Sequence, residues 1–238
     1  MWVGQQLADG LDFWGFLGSL ILGGIILGIY TGLLGYVGAK TGLSLDLLSQ
    51  RAFGEKGSYL PSAMTSFTQI GWFGVGSFVS GGTATPNFAR FAKDGKAGAI
   101  TTVVAFFIGN SLMFFFGAVS SIFVGGNDIF EVMVRLNLFY LAVLVLGLNI
   151  WTTNDNALYT AGLGLANIFH QRKKPMVLLS GIIGTVASVW LYYNFCGWLN
   201  ILNCTLPPVG TILVLAYFMN KEDFETDQPK LKTVDWFA

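Results

Sequence analysis

The chain reads as an all-α, polytopic membrane protein, and three observations carry that reading. Hydrophobic residues make up 53% of its 238 positions and charged residues only 11%, with a mean hydropathy of +0.62. A soluble domain of that composition would have more apolar surface than it could cover. The apolar residues come in uncharged runs of about 20 or more, the length of helix needed to cross the hydrocarbon of a bilayer. Finally, the basic residues are confined to a few short segments between those runs.

In chain order, Met1–Asp12 contains no Lys or Arg and no cleavage-type site. No secretory signal is therefore expected, and the chain opens as though cut from something longer. The first uncharged run is Phe13–Ala39, where Gly24, Gly28 and Gly32 recur every four residues, a stripe of small residues that lets another helix approach. Further runs are Gly57–Ala89, Ala97–Asn127 and Leu136–Asn154, the last resuming after Asp155 and continuing to Phe169. Pro175–Asn220 is long enough for two spans, with a bend expected at Cys196–Asn200 and a break at Pro207-Pro208. Gly181 and Gly184 read as packing positions. Cys196 and Cys204 read as small buried hydrophobes, and His170, beside Arg172-Lys173-Lys174, as an interfacial residue.

Twelve of the thirteen Lys and Arg fall in four segments: Lys40–Lys56, Arg90–Lys96, Arg172–Lys174 and the tail from Lys221. Met1–Asp12 and Gly125–Arg135 carry only Arg135. The positive-inside rule places the four basic segments in the cytoplasm and the two poor ones outside. Every run then alternates correctly except Gly57–Ala89, which has basic flanks at both ends. Its 33 residues make about 50 Å of helix, too little for two crossings and a turn. It is expected to be either a re-entrant hairpin or two pieces joined across missing chain. At its centre stands "GWFGVGSFVSGGT", residues 71–83.

Two groups of residues in these runs have chemistry to offer. Trp72 and Phe78 are flat faces flanked by glycine; a planar heterocycle held between them would gain about 1–3 kcal/mol per stacked face, although lipid-facing or packing aromatics are common in spans. Gln69, three residues before Trp72, offers donors and an acceptor on nearly the same helix face. Ser77 and Ser80 stand in a glycine-rich piece where a helix unwinds easily, or where small residues pack; Thr83 and Thr85 read as packing. The second group is Asn149, Thr152, Thr153, Asn154, Asp155 and Asn156. Its oxygens suit a hard cation such as Na+ and include no thiol or imidazole to attract a transition metal. Interhelical hydrogen bonding is the alternative for the threonines. Asp155 is the one intramembrane carboxylate, either a proton carrier or a vestibule residue.

The segments "GWFGVG" at 71–76, "SFVSGGTATPNFARF" at 77–91, "FFIGNSLMFFFGA" at 106–118, "LGLNIWTTNDNALYTAGLGLANI" at 146–168, "GIIGTV" at 181–186 and "LPPVG" at 206–210 resemble the bacterial cytosine permeases of the nucleobase:cation symporter-1 family. That resemblance implies a leucine-transporter-like fold, with two inverted five-helix repeats around a midplane site. It implies that residues 1–76 hold the end of the family's first helix and its second and third helices, and that residues 77–238 hold its sixth to tenth helices and a cytoplasmic tail. About ninety family residues would be absent near Val75–Ser77, and the last two helices would follow Ala238.

For function the resemblance implies import of cytosine coupled to Na+ by alternating access, in the bacterial cytoplasmic (inner) membrane. The substrate would be held by Gln69, Trp72, Ser77, Phe78, Ser80 and Asn149. Na+ would be held by the carbonyl of Asn149 and the hydroxyls of Thr152 and Thr153, completed by carbonyls of the first helix. The second, sixth and seventh helices would move as a bundle against a scaffold of the third, eighth and ninth. Proton coupling, with Asp155 as carrier, is the alternative mechanism.

Other classes fit less well. One intramembrane Asp and one interfacial His do not make a catalytic set, so no enzyme and no organic cofactor is expected. A zero net charge with one-sided basic loops gives no reason to expect nucleic acid. No protein partner is implied, no helix is an evident channel lining, and a membrane scaffold without transport remains the alternative if the chain is complete at this length.

Overall fold

A computed structural model describes residues 12–75, 84–124, 129–226, 229 and 231–234; the side chains of residues 72–75, 121, 129, 149–153, 192, 195–196, 199 and 203 lie outside that description. The described residues form ten helices: α1 (Phe13–Thr41), α2 (Leu45–Phe53), α3 (Tyr59–Val75), α4 (Pro86–Ala89), α5 (Gly95–Val124), α6 (Ile129–Arg135), α7 (Phe139–Phe169), α8 (Lys173–Tyr193), α9 (Phe195–Met219) and α10 (Lys221–Glu225). Among the described residues four stretches are long and apolar enough to cross a membrane: Phe13–Thr41, Gly95–Val124, Lys173–Leu191 and Asn200–Met219. α7 is equally long, at 31 residues, and begins with the apolar stretch Phe139–Leu148.

The chain divides into two compact units, residues 1–29 with 101–152 and residues 30–100 with 153–238. In the first, the Asp12 carboxylate accepts from the Gly15 amide at 3.2 Å and satisfies one of the free donors that open α1. A Cβ on Gly24 would meet the Phe107 ring at 3.0 Å, and one on Gly28 would meet Phe107 and Val103 at 3.8 Å. The glycine stripe therefore does bring α1 against α5 at these two positions. Two residues past the end of α6 stands Asn137, whose φ is 59°, with the Leu138 amide bonded to the Met133 carbonyl at 2.9 Å. Asn tolerates that left-handed geometry, and the reversal points the chain into α7.

The second unit contains all four basic segments. Lys40 lies 4.0 Å from Glu225, Arg90 donates to the Tyr159 hydroxyl, and the Lys173 ammonium lies 3.4 Å from the centre of the Tyr159 ring. The segment Lys40–Lys56 is more than a hydrophilic loop. The Ser44 hydroxyl caps α2 by accepting from Leu47, and Leu45, Leu48 and Ala52 are buried at helical spacing. They pack with Leu34 and Val37 of α1, Val209, Leu213 and Tyr217 of α9, and Phe224 of α10. Burying a leucine such as Leu48 contributes about 1.5–3 kcal/mol, which fixes α2 across the base of the unit.

The tail after α10 is stitched to this base. The Glu55 and Lys56 amides donate to the Lys232 and Thr233 carbonyls at 2.7 and 2.8 Å, and Arg51 donates to the carbonyls of Asp223 and Thr226 at 2.7 and 3.0 Å. Gly54 lies between them with φ 84°, and a Cβ there would stand 2.6 Å from the Lys232 carbonyl oxygen.

Three expectations are corrected. The bend expected at Cys196–Asn200 lies at Asn194, which ends α8 and whose side chain bonds back to the Trp190 carbonyl at 3.0 Å. α9 is not broken at Pro207 and Pro208 but runs through both. The Thr205 and Thr211 hydroxyls bond to the carbonyls of Ile201 and Pro207 at 2.8 and 2.9 Å, and such side-chain bonds help a membrane helix tolerate lost amide donors. Cys204 is exposed rather than buried, because lipid-facing and protein-facing positions of a span are equally apolar in sequence. The Cys196 side chain lies outside the described residues. His170 is exposed, as an interfacial residue should be, 3.8 Å from Glu55.

Candidate substrate and ion site

α3 carries the first part of the predicted site. It spans 17 residues, and Gln69 and Trp72 sit three apart on it, about 60° around its axis. Gln69 is buried at 6% exposure, as an amide inside a membrane helix must be. The nearby Thr65 and Thr68 hydroxyls bond back to the Pro61 and Met64 carbonyls at 2.8 and 2.7 Å, which occupies them within their own helix. Trp72 lies in the helix, but its side chain is outside the description, as are Ser77, Phe78 and Ser80 altogether. The link between Gly74 and Ser77, on which the hairpin question turns, lies there too.

Beside Gln69 the structure supplies an aromatic group that sequence reasoning did not single out. Trp198 of α9 is buried at 3% exposure, and its ring lies so close to Gly71 that a Cβ there would stand 2.2 Å from it. Phe67 meets the same ring edge to face at 6.5 Å. Ala157, Leu191, Leu202 and Leu206 complete the cluster around Trp198. This long-range pairing left no local mark on the sequence beyond a glycine in an otherwise bulky stretch.

α7 carries the second part. Asn149, Thr152 and Thr153 all lie in helical backbone, with side chains outside the described residues. One and two turns after Thr153, Ala157 and Ala161 are buried, and the Ala161 carbonyl accepts from the Ser66 hydroxyl of α3 at 3.2 Å. Asp155 and Asn156 are exposed. No cluster of three or more His, Cys, Asp or Glu side chains able to hold a metal exists among the described residues.

A buried carboxylate appears elsewhere, where the sequence suggested only a loop. Asp46 of α2 is 5% exposed and accepts from the Ser62 hydroxyl of α3 at 2.7 Å. Ser62 in turn accepts from Asn167 of α7 at 2.8 Å, and Gln50 donates to the Asn167 carbonyl oxygen at 2.5 Å. Next to Asp46, the Leu45 amide donates to Asn87 of α4 at 2.8 Å. Burial pushes the Asp46 carboxyl up to about 6 from an ordinary 3.8, against the opposing pull of the Ser62 hydroxyl, its own backbone amide and the positive charge of Arg90. The signal that could have found it is Ser44 as a helix cap followed by apolar residues at 45, 48 and 52.

A family profile described as permease for cytosine/purines, uracil, thiamine, allantoin matches residues 1–85 and again residues 74–229. The chain belongs to this permease family. Cytosine permease from Escherichia coli strain K12 is 36% identical over 329 residues, an alignment covering all of this chain and 78% of the relative. The same protein from strain O157:H7 gives identical figures. Allantoin permease from Bacillus subtilis strain 168 is 34% identical over 82 residues, 34% of this chain and 16% of that one. This permease chain is a multi-pass protein of the bacterial inner membrane, and its relatives are transporters rather than enzymes.

Proposed function

We propose that the chain belongs to a symporter that imports cytosine with Na+ by alternating access. The observation that carries the substrate is the 36% identity to a cytosine permease across the whole chain, against a match of only 82 residues to an allantoin permease. In this reading cytosine is gripped by Gln69, Trp72, Ser77, Phe78, Ser80 and Asn149. Its edge takes hydrogen bonds from the amides while Trp72 and Phe78 stack on its faces. The burial of Gln69 on the same helix as Trp72 supports this placement. Na+ takes the Asn149 carbonyl and the hydroxyls of Thr152 and Thr153, a set of neutral oxygens of the kind a hard monovalent cation accepts.

The proposal includes a leucine-transporter-like fold and a seam near Val75–Ser77. Two findings support the seam. The family profile matches in two pieces that overlap only at 74–85, and the alignment to the relative runs 91 positions longer than the 238 residues of this chain. Trp72 and Phe78 then come from two helices well separated in the family sequence, and face each other across the substrate.

The test is uptake of labelled cytosine by the full-length protein in cells lacking their own cytosine permease. Uptake should fall to background when choline replaces Na+, and should survive a protonophore while a Na+ ionophore abolishes it. Uptake that persists in choline and collapses with the protonophore would establish proton coupling instead. Uptake of allantoin in preference to cytosine would overturn the substrate assignment.

A further inference from the structure

We infer that Asp46 is the pH-sensitive pin of a polar latch that holds the cytoplasmic end of this transporter shut. The inference rests on the proposed alternating-access reading for which elements move, and on its own geometry for which residues hold them together. Ser62 of α3 and Asn167 of α7 belong to the proposed scaffold. Asn87 of α4 and Arg90, just beyond the end of α4, belong to the proposed bundle. α2 touches both, through adjacent residues: Asp46 takes the Ser62 hydroxyl and Leu45 donates to Asn87. One short helix therefore bridges the two parts that must separate when the site opens inward.

The latch is built to be broken. Nδ2 of Asn87 and Nε of Arg90 are buried donors with no partner among the described residues. A buried donor without an acceptor favours any state that admits water. Ionised Asp46 pulls the same way, because a carboxylate held at 5% exposure lacks the hydration it would gain on opening. Protonated Asp46 keeps the Ser62 bond without that penalty.

Other charged groups near the base are engaged elsewhere. Arg51 on α2 is turned to the Asp223 and Thr226 carbonyls. Glu225 of α10 takes the Tyr217 hydroxyl of α9 and lies near Lys40 of α1. From α7, Tyr159 faces Arg90, and Glu55 pairs with His170. Arg90 is the charge whose field reaches Asp46.

The direction follows from linkage. In the closed arrangement the carboxyl titrates at about 6, and in an open, hydrated one near the ordinary 3.8. A group whose value is raised in one state favours that state fully below the lower value, and loses the advantage as pH rises to the higher one. The closed-to-open ratio therefore falls about a hundredfold in all, from well below pH 4 to above pH 6, and about thirtyfold of that lies between pH 4 and pH 6. A neutral cytosol leaves the latch loose, and an acidified one tightens it and slows release of substrate.

The test uses the full-length protein in inside-out vesicles, with native cysteines replaced and Thr160→Cys as reporter. Thr160 is 1% exposed and its hydroxyl has no partner among the described residues, so the thiol costs none of the described hydrogen bonds. It lies seven residues, about 10 Å along α7, beyond Asn167 and is reached from the cytoplasm only when the latch parts. A charged pyridyl disulfide, which reacts with thiols in acid as well as neutral solution, measures its accessibility. Relative to an Asp46→Asn protein, the labelling rate should rise about tenfold from about pH 4.5 to about pH 6 and flatten near pH 7. In a Ser62→Ala protein the flattening should move to higher pH, because the hydroxyl that favours the charged carboxylate is gone. A flat ratio, or a Ser62→Ala curve that coincides with the parent's, overturns the latch; the second arm decides the matter if Asp46→Asn does not fold. Cytosine binding to the same vesicles is read separately. Its absence beside pH-dependent labelling refutes the substrate assignment and upholds the latch.

Discussion

Gly71→Ala offers the sharpest test of the packing beside the candidate site. A methyl at that position would lie 2.2 Å from Cζ2 and 2.6 Å from Cε2 of Trp198, where about 3.5–4.0 Å is comfortable. Trp198 is 3% exposed and held by Ala157, Leu191, Leu202 and Leu206, so the ring has no open space to move into. Either α3 and α9 part by more than an ångström or the ring leaves its rotamer. Overpacking of this kind costs about 1–3 kcal/mol, equivalent to a fall in Tm of several degrees, at about 2–4 °C per kcal/mol for a chain of this size. Because Gln69 stands two residues away, cytosine affinity should fall as well. The assay is thermal unfolding of the detergent-purified full-length protein, with and without cytosine, for Gly71→Ala, Trp198→Phe and the double variant. The smaller phenyl ring should recover part of the loss, giving a favourable coupling of about 0.5–3 kcal/mol. An unchanged Tm for Gly71→Ala, or strictly additive effects, would refute the close approach of these helices.

Further outcomes follow from the proposed site. Trp72→Ala and Phe78→Ala should each abolish cytosine uptake while membrane expression stays at the parent level; uptake at the parent rate for either would remove that ring from the stacking assignment. Thr152→Ala combined with Thr153→Ala should erase the stimulation of cytosine binding by Na+, read by isothermal titration in NaCl and in choline chloride. Asp155→Asn should leave Na+-driven uptake intact, and a variant that instead loses pH-dependent uptake would move the coupling role to that carboxylate.

The spans were legible because the bilayer imposes them on sequence: helices that cross it must be long and apolar. All four basic segments fall within one compact unit, a grouping by contact and not by membrane side. α2 was legible only in hindsight. Five charges within Lys40–Lys56 hid a helix whose Leu45, Leu48 and Ala52 pack with residues more than 150 positions away, and with it the one strongly buried acid among the described residues. Charge was informative as a sum and misleading as a label, since Asp155, the acid that drew attention inside an apolar run, is exposed, whereas Asp46 is buried. The proline pair misled for a related reason. A lost amide bond is a local fact, but whether a helix breaks depends on hydroxyls and packing partners such as Thr211 and Leu213. Trp198 shows the remaining limit, because a ring and the glycine it covers, 127 residues apart, are visible as a pair only once the helices are in place.

The stitching of Lys232 and Thr233 to the amides of Glu55 and Lys56 sets an order of assembly. During synthesis α1, α2 and α3 leave the ribosome long before residues 221–234 exist, so the base they form must wait with its Glu55 and Lys56 amides in water and Arg51 without its two carbonyls. Closing that loop spans nearly the whole described chain, which makes it a slow, late event dominated by chain entropy. Insertion into the membrane and consolidation of the cytoplasmic base are thus separable steps in the biogenesis of this permease. A nascent chain arrested between them would have its described spans in place yet leave this base open to quality-control proteases.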